Sequence, residues 1–484
     1  MHGIIKNTNS DYICNNTQNL INNRYYVTFE GILYNKDSLW NALSLDSDAA
    51  ESTDIEHLIA NLYMQLGDAF ISHLNGSFAL IIYDNETNVL WGATDRFGSR
   101  PVYYTNTADS FIYASAIRSI LDCDGYTLAV NRLAVDKYMT KGYRTGSETM
   151  FERIYALPAG HSFYYKNGKL TISKYWKPVI NINTGKDSSA YTIDINNYIS
   201  NAVNSVLDYC DTDNTNTCAF LEKDFMSSYM TAILRPDDSF SIHYDFDMCD
   251  ENKYITELSN ILRIDNVCMQ SSTKQCIDAI SNLTDILEEP IPLEDSLPAY
   301  MLCTNLSGRT DAVISGACGG LMADDGDIND KLSAIERQAM IYTKLSTAND
   351  IKLHLPYLNN HFFDAMCEIP NEYKKNRIAK NGKLISRNVF RQAASKYLSG
   401  YFTDRIHKKR VLPVAAWLRN EKYYNLFKNT LSSDAVCEYL DQTMLLKLLE
   451  AHKQGKADNS AILLRAYMFV LWYERFFMSE MGCD

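Results

Sequence analysis

"CAFLEKDFMSSYMTAIL" (218–234) decides the fold class of this chain. Cys218–Leu221 form an apolar run of strand length, too short for a helix of its own. Glu222, Lys223 and Asp224 interrupt it, and from Phe225 the chain turns apolar over a helical length. A buried strand that runs through a short polar loop into a helix is one βα step of an α/β domain. The same alternation continues outward. "SFSIHYDF" (239–246) predicts a second strand, followed by a helix over 252–263, and "DAVISGA" (311–317) predicts a third buried strand. Strands alternating with helices imply a parallel sheet, with ligand space at the carboxyl ends of its strands. From about residue 330 the pattern is mostly helical.

Upstream the pattern differs. "RYYVTFEGILYN" (24–35), "GSFALIIYD" (76–84), "NVLWGATD" (88–95), "PVYYTN" (101–106) and "DSFIYASA" (109–116) are short aromatic and β-branched runs between turn residues. One amphipathic helix interrupts them at 53–66, its apolar face made by Ile55, Leu58, Ile59 and Leu62. A β-rich layered domain over 1–178 follows. The polar, turn-rich stretch 179–190 reads as a linker, and a second domain occupies 191–484, opening on an amphipathic helix that carries Ile195, Ile199, Val203 and Val206 on one stripe.

Bulk composition bounds the function. The chain has 484 residues, of which 46% are hydrophobic and 22% charged, which fits a soluble protein of two domains. Its net charge of −13 and lack of a long basic run argue against a surface that tracks nucleic-acid phosphates. The 12 cysteines form no C-x-x-C pair and have no histidines at zinc-site spacing, so reduced thiols in a cytoplasmic protein are expected. No apolar run approaches a membrane span, and "MHGIIKNTNSDY" has no signal-peptide core.

Several blocks carry a family resemblance. "LNGSFALIIYD" (74–84), "DRFGSRPVYY" (95–104), "YASAIRSIL" (113–121), "TMFERIYALPAGHSF" (149–163) and "RIHKKRVLPVAAWLR" (405–419) stand in the order found in glutamine-dependent asparagine synthetases, which the chain resembles over nearly its whole length. The resemblance implies an N-terminal nucleophile sandwich of the class II glutamine amidotransferase kind, joined to an ATP-pyrophosphatase-type α/β domain with a helical C-terminus. It implies ATP and Mg²⁺ as cofactors and a homodimer as the assembly.

The family's site residues transfer poorly. Its glutaminase needs a cysteine as second residue, whose thiol attacks and whose free amine acts as base; here that residue is His2. Its oxyanion-hole "NGEIYN" reads "EGILYN", so Glu30 replaces the amide donor and only Gly31 persists. A carboxylate there would repel a developing oxyanion. Asp54 is a surviving substrate-contacting position, although an acidic residue opening a helix explains it as well. The arginine segment that pairs with the glutamine carboxylate has no counterpart ahead of residue 29.

The synthetase's "SGGLDSS" becomes "EKDFMSS" (222–228). Glu222 takes the first serine position, Lys223 and Asp224 take the glycines, and Met226 takes the magnesium aspartate. Ser227 and Ser228 persist, with Leu221 and Ile242 as apolar remnants of the nucleotide cleft. At about 4 Å each like-charge pair costs ~1–4 kcal/mol. Two carboxylates therefore oppose a pyrophosphate, while Lys223 offsets part of the repulsion. The family's "SGEGADE" keeps only Ser315 and Gly316, with Asp324 and Asp325 a turn further on as candidate metal ligands or a solvated acidic turn. Arg387 takes the place of the lysine that stabilises the charged intermediate, and Lys383, one turn earlier, is a candidate to compensate.

Three readings follow. The first is a pseudoenzyme or scaffold that has lost both chemistries, including ATP and Mg²⁺ binding, and acts through a protein partner such as an active paralogue or a biosynthetic enzyme. The second is a divergent ATP-dependent amide-forming ligase, similar to lactam synthetases and peptide cyclases, that does without glutamine hydrolysis. The third is a small-molecule binding module that reuses the cleft.

Overall fold

The computed structural model describes residues 1–6, 12–14, 20–43, 54–182, 185–246, 249–324, 326–375, 377–378, 384–385, 387–405, 411–434 and 437–478. Lys383 and Asp325, two of the candidates above, lie outside the described residues.

Among the described residues of the N-terminal half there are ten strands: β1 (His2–Lys6), β2 (Tyr12–Cys14), β3 (Tyr25–Leu33), β4 (Gly76–Asp84), β5 (Val89–Thr94), β6 (Tyr103–Asn106), β7 (Ser110–Ala114), β8 (Tyr155–Ala156), β9 (His161–Lys166) and β10 (Lys169–Lys174). They form two antiparallel sheets, in the orders β2-β1-β7-β6-β8 and β10-β9-β5-β4-β3. Alternation along the strands fills the space between the sheets with Ile5, Ile81, Tyr83, Phe111, Tyr113, Phe163 and Tyr165. The opposite face of the second sheet, with Val27, Leu80, Ile82 and Trp91, packs on α1 (Lys36–Ala42) and α2 (Ile55–Leu66) through Leu39, Leu58, Ile59 and Leu62. The outer face of the first sheet, with Tyr103, Ile112 and Ala114, joins the core of the second half; α3 (Arg118–Leu121) and α4 (Arg132–Lys141) lie along this border.

The second half opens on α5 (Ser188–Thr212), which begins inside the expected linker and is longer than the apolar stripe alone suggested, because Asp187 caps it by accepting from Ala190 N–H. Then come β11 (Thr217–Phe220), α6 (Phe225–Leu234), β12 (Asp238–Tyr244), α7 (Cys249–Leu262), β13 (Asp265–Ser271), α8 (Thr273–Leu287), α9 (Leu293–Leu306), β14 (Ala312–Ser315), α10 (Gly319–Ala323), α11 (Ile328–Thr347), β15 (Lys352–His354), α12 (Asn360–Cys367), α13 (Asn371–Lys374) and α14 (Asn388–Ala394). The sheet is parallel, in the order β13-β12-β11-β14-β15. Its order reverses at β11, where Phe220 pairs with Phe240 on one side and Ser315 on the other. That reversal opens a crevice between the carboxyl ends of β11 and β14.

The expected two-part fold is thus what forms, with β1, β2, β8, β9, β10, β13 and β15 beyond the strands expected from the sequence. Among the described residues no helix is long and apolar enough to cross a membrane. Cys123, Cys210, Cys218, Cys268, Cys276, Cys303, Cys318, Cys367 and Cys437 are free thiols, and of these nine Cys437 is the exposed one.

Candidate functional site

The crevice at the sheet reversal is a cavity of about 510 Å³, lined by Leu221–Asp224, Ile242, Gly316, Asp324 and Arg387 among others. The loop 221–224 enters it because α6 starts at Phe225, and α6 starts there because Asp224 caps it. The Asp224 carboxylate accepts from the backbone N–H of Met226 at 2.8 Å and of Ser227 at 3.1 Å. Those first-turn N–H groups are what a helix offers an anion. Here an anion from the chain itself takes them. Burial raises the Asp224 carboxyl, while the Ser227 N–H, the Arg387 charge and the Met226 N–H draw it down.

The two surviving serines are turned inward. Ser227 Oγ accepts from Glu222 N–H at 3.0 Å and donates to the Phe220 carbonyl at 3.3 Å. Ser228 Oγ donates to the Asp224 carbonyl at 2.9 Å and meets the Tyr254 hydroxyl at 2.8 Å. Both are fully buried, so they staple the loop to the helix. Glu222 points across the crevice, its carboxylate accepting from the Tyr342 hydroxyl at 2.6 Å and from Ser315 Oγ at 3.3 Å. The Met226 side chain is buried, and its carbonyl accepts from the Tyr357 hydroxyl at 2.8 Å.

Gly316 persists for a packing reason. A Cβ there would lie 2.6 Å from Ser227 Cα, so only glycine lets the loop after β14 pass under the start of α6.

Asp324, a candidate metal ligand or solvated acidic turn by sequence, has a partner inside the protein. Its carboxylate takes both arms of Arg387, with Nε at 2.7 Å and Nη2 at 3.1 Å. Such a bidentate pair uses the planar fork that lysine lacks, and it commits the residue at the intermediate-stabilising position to a partner within the protein. Among the described residues no group of three or more His, Cys, Asp or Glu could hold a metal ion. The lining carries Glu222, Asp224, Glu294, Asp295 and Asp324 against Lys223, Arg337 and Arg387. These residues do not fit a magnesium nucleotide: the helix-terminal donors are taken, the lining is net negative, and its bidentate arginine is paired.

The other candidate site lies in the sandwich. There Glu30, on β3, accepts from the Met1 ammonium at 3.3 Å, and Arg100 Nη1 lies 3.6 Å from its other oxygen. Burial works to raise the Glu30 carboxyl, but the ammonium and Arg100 outweigh it and hold the group below its usual range. The Met1 ammonium also donates to Ser115 Oγ at 3.1 Å. His2 Nε2 is hydrogen-bonded to Cys123 Sγ at 3.0 Å, and burial pushes that thiol up to about 11, away from a reactive thiolate. Gly31 has φ 151° and no room for a Cβ against the Ser77 carbonyl of β4. Asp54 caps α2, accepting from Glu56 N–H at 3.2 Å and meeting His57 Nδ1 at 3.0 Å. The structure therefore brings His2, Glu30 and Gly31 to one end of the sandwich and gives each a structural partner.

The block "DRFGSR" (95–100) is architectural too. The buried Asp95 carboxylate accepts from Phe97 N–H at 2.8 Å and Phe78 N–H at 3.0 Å, tying β4 to the turn after β5.

Sequence reasoning missed the cap by Asp224, although an Asp just before a helical run is its ordinary signal. The Arg387–Asp324 pair joins residues 63 apart and left no such local mark.

Comparison with known proteins agrees with this layout. The family described as glutamine amidotransferase domain matches residues 12–176, and the family described as asparagine synthase matches 225–322 and 336–474. Asparagine synthetase [glutamine-hydrolyzing] 3 of Bacillus subtilis is 25% identical over 284 residues, covering 56% of this chain and 45% of that protein. Asparagine synthetase [glutamine-hydrolyzing] 1 of the same organism is 20% identical over 553 aligned positions, covering 93% and 85%. Putative asparagine synthetase [glutamine-hydrolyzing] 2 of Methanocaldococcus jannaschii is 25% identical over 152 residues, covering 31% and 29%. The chain thus spans under half of the first relative and most of the second.

Proposed function

The chain belongs to the asparagine synthetase family, and from that premise we propose that it is a pseudoenzyme of the family, a scaffold that has kept the architecture and given up both chemistries. The observation that carries this is the Asp224 carboxylate on the Met226 and Ser227 N–H groups, where a bound pyrophosphate would otherwise be cradled. A triphosphate entering this crevice must displace a covalently tethered anion and then face four further carboxylates. The Glu30–ammonium pair supports the same reading for the glutaminase half, since the oxyanion position holds an anion that is already neutralised. The protein then acts through a protein partner, as a structural or regulatory subunit.

The test is direct. Incubated with glutamine, aspartate, ATP and Mg²⁺, the purified protein should release neither ammonia nor pyrophosphate above a no-protein control. Measurable release of pyrophosphate would overturn the proposal in favour of an amide-forming ligase. A small-molecule binding module draws its support from the cavity of about 510 Å³ that persists at the sheet reversal; a stoichiometric small molecule found in the native protein by mass spectrometry would favour it.

A further inference from the structure

A second cavity, of about 440 Å³, lies where the interdomain segment crosses the second half. That is the size of a site for a small organic molecule, about 300–1,000 Å³. Met322, Ile335, Phe363 and Ile369 make its walls, and the exposed side chains of Ile180 and Ile182 form its rim. Lys374, at the end of α13, reaches into this apolar lining while only 7% exposed. Its ammonium donates to the Met366 carbonyl at 2.8 Å, and among the described residues no carboxylate pairs with it. A buried ammonium with one backbone acceptor is an incomplete arrangement: it has three donors, and its charge lacks a counter-ion. The shift of Lys374 agrees, since burial, followed by the charge of Lys331, lowers the group to about 8.

Two other charged groups line the cavity. The Lys331 ammonium is held by the Asp324 carbonyl, and the Asp327 carboxylate is engaged by the N–H groups of Asn329 and Asp330 at 2.8 and 3.3 Å. Lys374 thus sets one buried ammonium against an apolar wall, which suits a single carboxylate carried on a hydrocarbon chain.

We propose that this cavity binds a small amphiphilic carboxylate, its hydrocarbon chain on Met322, Ile335, Phe363 and Ile369 and its carboxylate on the Lys374 ammonium. The lining of this cavity adjoins the nucleotide crevice but shares no residue with it.

Decanoate and decanol, titrated by calorimetry below their aggregation limits, test the proposal because they share a chain and differ in charge. Decanoate should bind saturably at one site, at least about tenfold more tightly than decanol, the scale of a charge-assisted contact. Lys374→Met keeps the stem and removes the charge; it should weaken decanoate at least about tenfold and leave decanol unchanged. Ile182→Glu, on the exposed rim, cannot harm the core and should weaken decanoate more than decanol. Equal affinities for the two ligands, unaltered decanoate binding in Lys374→Met, or no saturable binding of decanoate would each overturn it.

Discussion

At the scale of single residues, several positions aligned with the family's chemistry have partners inside the protein. Asp224 caps α6, Ser228 bonds Tyr254, and Arg387 is locked to Asp324. Lys374 is the exception, a group whose surroundings work against its charged state. Its folded value of about 8 lies below its ordinary 10.5, so the folded protein sheds this proton more readily than the unfolded chain. Burying the ammonium therefore costs stability in full below about pH 8, and stability is regained as pH rises from there towards 10.5. Lys374→Met should stabilise the protein at pH 7 by about 1–3 kcal/mol, and the gain should vanish above about pH 10.5. Urea denaturation of both proteins at the two pH values checks this; an equal or smaller stability of the variant at pH 7 would contradict it.

At the scale of elements, the strand–loop–helix at 217–234 depends on the close pass of the loop after β14 beneath α6. Gly316→Ala should cost about 1–3 kcal/mol, because its Cβ meets backbone that cannot swing aside. Chemical denaturation measures the loss, and a neutral result would mean that the loop does not run where it is placed. This junction also shows how much was legible in the sequence. The apolar run Cys218–Leu221 and the helix from Phe225 declared themselves through length and period, and β4 coincides with "GSFALIIYD". β1 was not legible, since "HGIIK" is short and gains its place by pairing with β7, more than a hundred residues on. β15 is three residues long and exists only because Ala312–Ile314 offers it an edge. For the site, the altered residues could be named from sequence, but their partners could not. Capping is local and left a signal at Asp224, whereas the pairing of Arg387 with Asp324 and the cavity at Lys374 arise from elements far apart in the chain.

At the scale of the whole molecule, the two halves are fastened by three glutamates, of which Glu288 and Glu289 are buried. Glu288 accepts from the Ile117 and Arg118 N–H groups at 3.0 and 2.9 Å, Glu289 from Met150 N–H at 3.0 Å, and Glu336 from Ala159 N–H at 3.1 Å. Phe151 of the first half packs edge-on against Trp472 of the second, with ring centres 5.0 Å apart. One cooperative unfolding transition is expected from this shared core. Glu289→Ala leaves Arg144 without its carboxylate and should cost about 3–5 kcal/mol, separating the halves into two calorimetric transitions. Retention of a single unshifted transition would show that the joint does not rest on this pair. A fold fastened in this way does not depend on its chemistry for its shape, in keeping with the pseudoenzyme proposed above. The most direct test of that proposal is titration of Mg²⁺–ATP into the purified protein by calorimetry. No saturable binding should appear up to millimolar nucleotide; a saturable isotherm in the millimolar range or tighter would show that the crevice still takes a nucleotide.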